Sequence, residues 1–344
     1  PLVSCPETKP DKKGAALPLE ISTGPFTCTA VVAPPAPVVE GECGNWTWEF
    51  ELIGDRTDPK TGWTERGIVL GASTDGVLTG VAPGDYILRY LVEDACGNTG
   101  TVDCALRVVD AVEPVAICNE SLNVSIGGAF TIADGIARVA AADVDEGSWD
   151  NCGDLTLEVR RSIDPECLEL YVEMVYGLQW PADFAPRLVD DRYVAYSARR
   201  AAPENGVEAG DVVLFKERDG RFYSGWGDAV FFTCCDVSPE EKVIVELRVT
   251  DAAGNVNTCW LDVLIEDKLP PRCTVANETI LCTELDFDPA DAAQVADRFG
   301  AADAIVTVID NCGAAITEEQ AYEPNACGTG TIERVFTVTD PFGQ

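Results

Sequence analysis

Apolar and polar residues alternate along this chain in short runs, and three of those runs share one pattern. They are Leu88-Arg-Tyr-Leu-Val-Glu-Asp94-Ala-Cys-Gly-Asn98, Val245-Glu-Leu-Arg-Val-Thr-Asp251-Ala-Ala-Gly-Asn255 and Arg334-Val-Phe-Thr-Val-Thr-Asp340-Pro-Phe-Gly-Gln344. Positions four and two before the Asp are apolar in each: Tyr90 and Val92, Leu247 and Val249, Phe336 and Val338. Period-two alternation of this kind predicts a strand with one face in a core. The Gly-Asn or Gly-Gln that follows suits a turn requiring positive φ. After the first two turns a second strand is predicted, over Cys104 to Val109 and Cys259 to Ile265.

Each of these second strands runs into an acidic joint containing proline, Asp110-Ala-Val-Glu113-Pro114 and Glu266-Asp267-Lys-Leu-Pro270-Pro271. A cysteine follows each joint, at Cys118 and Cys273, and Cys5 sits similarly near the start of the chain. Cys-Gly recurs as well, at Cys43-Gly44, Asp150-Asn-Cys152-Gly153 and Asp310-Asn-Cys312-Gly313. Repetition on this scale divides the chain into modules at 1–112, 113–269 and 270–344. Short alternating strands separated by turn signals predict an all-β protein of antiparallel β-sandwiches. The Ala- and Asp-rich stretch Pro289 to Phe299 predicts a short helix, with little other helix expected. The third module ends at the turn after its strand, where the other two have one strand more. Two readings stay open: a window on a longer repetitive polypeptide, or a sheet edge completed by a neighbouring molecule.

Charge narrows the range of partners. Fifty-nine acidic residues against 24 basic ones give a formal net charge of −35. Such a field repels phosphate, which argues against nucleic acid and anionic membrane surfaces and favours divalent cations. No apolar run approaches the roughly 20 residues a spanning helix needs, so no membrane insertion is expected of this segment. The chain contains no histidine, which excludes Ser-His-Asp and Cys-His catalysis and imidazole metal sites. Paired carboxylates remain as a catalytic option, but the best acidic cluster lies in a loop beside a cysteine, and no enzyme activity is expected. The 15 cysteines are dispersed, without the Cys-x-x-Cys pairs of zinc or redox sites. They read as disulfides in an oxidising, extracellular setting.

Taken in order, Asp143-Val-Asp-Glu-Gly-Ser-Trp-Asp-Asn-Cys152-Gly, Val249-Thr-Asp-Ala-Ala-Gly-Asn255 with Cys259, and Glu266-Asp-Lys-Leu-Pro-Pro271 with Cys273 resemble the HYR/PKD-like repeats of giant surface proteins of Bacteroidetes. The resemblance covers all three modules, most strongly 113–344. It implies tandem Ig-like modules in a linear array, stapled by disulfides, within an extracellular filament or cell-surface adhesin. The partners it implies are neighbouring copies or modules of the same protein. In an Ig-like sandwich the starts of the first and last strands can lie close, which pairs Cys5 with Cys104 and Cys118 with Cys259. Cys152 and Cys167, like Cys312 and Cys327, are 15 apart, which suggests a pair within each module.

Four kinds of candidate site remain. Asp143, Asp145, Glu146 and Asp150 space carboxylates around Gly147 as a calcium loop would, though without the later ligands of an EF-hand. The acidic joints (Asp94, Asp110, Glu113; Asp251, Glu266, Asp267) offer a second way to hold calcium, between modules. A solvated acidic surface is the plainer reading of both. Asn45, Asn119, Asn123 and Asn277 open glycosylation sequons. Module two carries an insertion, 168–233, with Tyr176, Trp180, Trp226 and Phe232 among its aromatics and a basic cluster at Arg187, Arg192, Arg199 and Arg200. Aromatics with arginines suit a protein interface, and aromatic faces also stack on sugars. A glycan- or protein-binding module is thus the alternative function, and a satellite core the plainer account. Within the insertion, Val212-Val-Leu-Phe-Lys-Glu-Arg-Asp219-Gly220-Arg-Phe-Tyr predicts a hairpin with an Asp-Gly turn.

Overall fold

The computed structural model describes residues 1–8, 17–41, 44–73, 75–128, 131–133, 135–176, 187–188, 193–197, 212–280, 286–325 and 330–343. Two compact units emerge: Pro1–Ala116 with Gly147–Thr156 and Arg248–Thr258, and Ile117–Glu146 with Leu157–Leu247 and Cys259–Gln344. Strands dominate both.

The first unit contains β1 (Leu2–Ser4), β2 (Leu19–Ser22), β3 (Ala30–Val32), β4 (Val38–Glu40), β5 (Trp46–Thr57), β6 (Thr64–Ser73), β7 (Leu78–Val81), β8 (Gly84–Asp94) and β9 (Thr99–Val109). A five-stranded sheet in the order β2-β9-β8-β5-β6 faces the β3–β7 pair. Between them lie Val32, Phe50, Leu52, Leu88, Tyr90, Leu106 and Val108, each at most 2% exposed. Every second residue of β8 points inward, as its alternation predicts. Burying such side chains contributes about 1.5–3 kcal/mol each. Strand β2 runs parallel to the end of β9, with Ser22 opposite Val109, which brings the residues after both strands together. Cys5 is bonded to Cys104.

An eight-stranded sheet, most of whose residues belong to the second unit, comprises β10 (Ser121–Ile126), β13 (Thr156–Ile163), β14 (Arg187–Leu188), β15 (Tyr193–Ser197), β16 (Val212–Arg218), β17 (Arg221–Tyr223), β19 (Val243–Thr250) and β20 (Val256–Asp267), in the order β10-β20-β19-β13-β17-β16-β15-β14. A three-stranded sheet joins β11 (Thr131–Ala133), β12 (Ile136–Ala140) and β18 (Ala229–Thr233). Towards the C-terminus, β21 (Arg272–Thr274) pairs with β22 (Thr307–Ile309) and β23 (Ala315–Pro324) with β24 (Gly330–Thr339). Cys118 is bonded to Cys259.

Among the described residues α-helix is confined to α1 (Ala141–Val144), α2 (Leu168–Tyr176), α3 (Ala292–Phe299) and α4 (Ala302–Ile305), with 3-10 turns at Pro165–Cys167 and Cys234–Asp236. The N-cap of α3 is Asp291, whose side chain accepts from the N–H groups of Ala293 and Gln294. Helix α2 lies in the insertion, where little helix was expected. Its buried residues Leu168, Tyr171, Val172 and Val175 follow the i, i+3, i+4, i+7 spacing of one helical face. They pack with Ile163, Cys167, Phe215 and Phe231 into a core of their own.

A candidate cation site at the end of strand β9

The geometry shared by the three copies of the repeat begins with its Asp. Asp94 and Asp251 are 5% and 6% exposed; Asp94 ends β8 and Asp251 directly follows β19. Asp94 Oδ1 accepts from the N–H of Cys96 (3.0 Å) and of Asn98 (2.9 Å). Asp251 Oδ1 accepts from Ala253 (2.9 Å) and Asn255 (2.8 Å), and Asp340 Oδ1 from Phe342 (2.9 Å). The glycines of the three turns, Gly97, Gly254 and Gly343, have φ of 79°, 92° and 86°, where a side chain would be strained. The repeated Asp is therefore first of all a turn-forming residue.

Around Asp251 a larger constellation forms, wholly within the first unit. Asp110, Asp150 and Asp251 each place a carboxylate oxygen within 4.8 Å of the others. Asp110 follows the last residue of β9. Asp150 sits in the 147–156 segment, which is held by backbone bonds between Val115 and Trp149 (2.8 and 3.1 Å) and by the Cys28–Cys152 disulfide. Asn255 fixes the third segment: its Nδ2 donates to the carbonyls of Asp110 (3.1 Å) and Val112 (3.2 Å) and to Asp251 Oδ2 (2.8 Å).

Both oxygens of Asp251 accept hydrogen bonds, whereas Asp110 and Asp150 each have one oxygen engaged. Asp110 Oδ1 accepts from the Thr23 hydroxyl (2.9 Å) and the Val112 N–H (3.2 Å), and Asp150 Oδ2 from the Cys152 N–H (2.6 Å). Asn151 Nδ2 donates to the Thr23 hydroxyl (3.1 Å), which turns the amide oxygen away from it. The remaining oxygens, Asp110 Oδ2, Asp150 Oδ1 and Asn151 Oδ1, are buried and have no hydrogen-bond donor. Two unit charges about 4 Å apart repel by about 4 kcal/mol at the effective dielectric of a protein surface. Such an arrangement calls for a counter-charge. Beside it opens a pocket of about 170 Å³ lined by Pro25, Phe26, Val112, Glu113, Val115, Trp149, Asp150 and Asn151.

The other residues singled out from the sequence are distributed differently. Asp143, Asp145 and Glu146 belong to the second unit and Asp150 to the first. Asp143 lies in α1 and its Oδ2 accepts from the Ala140 N–H; Asp145 follows the helix, and the Glu146 N–H donates to Ile117 O. Cys152 is bonded to Cys28 and not to Cys167, which is bonded to Cys235. Cys312 is bonded to Cys234 and not to Cys327, which lies outside the described residues. The vicinal cysteines thus serve two bridges, because successive side chains in the tight turn Cys234–Asp236 point different ways. Cys273 is an exposed free thiol.

Phe232 is fully buried and is not a surface residue: β18 has cover on both faces, with Phe231 also buried. The Arg160 guanidinium lies over the Trp226 ring at 4.4 Å. Trp180, Arg192, Arg199 and Arg200, and the side chain of Tyr176, lie outside the described residues. The predicted hairpin is β16–β17, with Arg218 opposite Arg221 and positive φ at Asp219 (55°) and Gly220 (81°), as a type I′ turn requires. Of the sequon asparagines, Asn45, Asn123 and Asn277 are exposed, while Asn119 Nδ2 donates to Asp143 O (2.9 Å).

No known family pattern matches the chain, and no curated protein does. Among solved structures, the fibronectin(III)-like modules of Clostridium thermocellum CbhA are 9% identical, covering 77% of this chain and 94% of theirs, with a TM-score of 0.21. The two immunoglobulin domains of DIP-gamma are 7% identical over 72% of this chain and 94% of theirs, with a TM-score of 0.24. The human Desmocollin-1 ectodomain is 11% identical over 95% of this chain and 55% of its own length, with a TM-score of 0.21. Scores at this level do not establish a common fold; the β-sandwich stands on the chain's own strand pairing.

Proposed function

We propose that this chain is a structural segment of an extracellular filament or cell-surface adhesin, built from repeated β-sandwich modules of the HYR/PKD-like kind. The observation that carries this reading is the recurrence of one stapled unit. The same inward-facing strand leads into the same Asp-capped turn, and in two copies a disulfide joins the strand after that turn to a cysteine near the start of its module. Five disulfides among the described residues suit an oxidising compartment. No helix among the described residues is long and apolar enough to cross a membrane. Neighbouring copies or modules of the same protein are the partners this reading requires.

The alternative, a glycan- or protein-binding module acting through the insertion, loses much of its aromatic surface, because Tyr171, Phe215, Phe231 and Phe232 are spent on the core. Electron microscopy of purified protein beside reducing and non-reducing gels tests the proposal. Filaments with a constant subunit band near 37 kDa mean assembly between chains. Filaments that give only a very large band mean a tandem array within one polypeptide. A monomer that forms no filaments under oxidising conditions overturns the reading.

A further inference from the structure

We propose that Asp110, Asp150, Asn151 and Asp251 bind one calcium ion. The site goes beyond the fibre reading and does not depend on it. Proximity of carboxylates alone would not carry this, since exposed acidic groups gather on many proteins of such charge. Here, by contrast, Asp251 is 6% exposed, and three further oxygens are buried without a donor: Asp110 Oδ2, Asp150 Oδ1 and Asn151 Oδ1. Buried acceptors are satisfied in the great majority of cases, and an exception needs a cause. Each of these three side chains has its other polar atom hydrogen-bonded. The chain thus holds Asp110, Asp150 and Asn151 in place and leaves one oxygen of each over, while the carboxylates of Asp110, Asp150 and Asp251 converge within 4.8 Å.

The donor set selects the ion. All four groups are oxygens, three from carboxylates and one from an amide, which suits hard cations over zinc or copper. Calcium accepts six to eight oxygens in irregular geometry, whereas magnesium demands near-ideal octahedral geometry and gives up its waters reluctantly. Donors drawn from three distant stretches of chain, fixed by strand pairing and a disulfide, favour the more tolerant ion. The pocket lined by Phe26, Trp149, Asp150 and Asn151 gives solvent a route to the remaining coordination positions.

The test uses the whole oxidised chain, stripped with EGTA. Calcium titrated calorimetrically is expected to bind at this site and to raise the melting temperature, with magnesium giving a clearly smaller rise. Asp110→Asn and Asp150→Asn each remove one ligand charge and are expected to weaken calcium at least about tenfold. In EGTA both variants should melt no lower than the parent, because they relieve repulsion between carboxylates; that arm also shows that they fold. Glu146→Gln, in the acidic stretch before the site, should leave binding unchanged. Terbium replaces calcium as an optical probe, since Trp149 adjoins Asp150. Its tryptophan-sensitised emission should fall in Trp149→Phe and in Asp150→Asn, and calcium should quench it by competition. Equal calcium affinity in the parent and both Asp→Asn variants, or no response to calcium or terbium in the parent, overturns the proposal.

Discussion

The loops Asp150-Asn-Cys-Gly153 and Asp310-Asn-Cys-Gly313 share a local geometry. The Cys152 N–H donates to Asp150 Oδ2 at 2.6 Å, and the Cys312 N–H to Asp310 Oδ1 at 2.9 Å. Each Asn side chain donates to the sulfur of the following cysteine, at 3.3 and 3.5 Å. Each cysteine is bonded to a partner far back in the chain, Cys28 or Cys234. Asn151 also reaches Thr23, just after β2, and Asn311 reaches the carbonyl of Ile126, the last residue of β10; β2 and β10 both run parallel to a long strand, β9 or β20. Both loops even hold back a carboxylate oxygen and an amide oxygen. They differ in company: among the described residues, only the first lies in a group of three carboxylates close enough to share an ion. A four-residue motif specifies its own turn, but a cation site also needs donors that only strand pairing can deliver.

The largest expected effect tests the likeness. Removing Cys28–Cys152 as a double serine variant should cost about 2–5 kcal/mol, and removing Cys234–Cys312 should fall in the same range. The bridges span 124 and 78 residues, and the chain-entropy model turns that difference into only about 0.4 kcal/mol. Urea unfolding of the two variants measures both. A gap of several kcal/mol would mean that the loops play different parts in their units.

What could be read from the sequence follows the range of the interaction that decides it. The inward faces of β8 and β19, the positive-φ turn glycines, the Asp219-Gly220 hairpin and the helix capped by Asp291 all rest on neighbours within a few residues, and all were legible. The disulfide partners of Cys152 and Cys312 were not. Equal spacings of 15 suggested local pairs, but the partners are set by which loops the sheets bring together. The same holds for the cation cluster. Asp110, Asp150 and Asp251 each stood out singly, and the recurrence of Asp-Asn-Cys-Gly was the available signal for Asn151, yet nothing in a linear reading joins them. Helix α2 is a different case: the satellite core expected of the insertion is present, but the helical spacing of Leu168, Tyr171, Val172 and Val175 that builds it is too short a run to stand out from the strand-like alternation around it.

Calcium sharpens the contrast between the loops. If company decides, Asp150→Asn should abolish the strong site while Asp310→Asn leaves its affinity within about twofold, since Asp310 lacks two close carboxylate partners among the described residues. Calorimetry on both variants, in parallel with the parent, reads this directly. Equal losses would instead mean that the motif itself, repeated, carries the binding, with no need of the donors around Asp150.

The smallest effect concerns the turns that follow the repeated strands. Asn98 Nδ2 donates to the two oxygens of Asp94, at 3.2 and 3.0 Å. Asn255 makes the corresponding contact with Asp251 Oδ2 and adds two carbonyls, of Asp110 and Val112. Truncating Asn98 to alanine should therefore cost about 0.5–1.5 kcal/mol, the usual worth of one hydrogen-bonding partner, and truncating Asn255 about 1–3 kcal/mol, because the carbonyls of Asp110 and Val112 lose their donor as well as Asp251. The two variants also differ in what calcium does. Asn255→Ala frees the end of β9 from the 248–258 segment, so the spacing of Asp110 and Asp251 loosens and calcium affinity should fall; Asn98→Ala leaves those residues untouched and should bind as the parent does. Thermal melts with and without calcium separate the two contributions, and an Asn98 variant that loses calcium would place the ion at the Asp94 turn and not at the Asp251 turn.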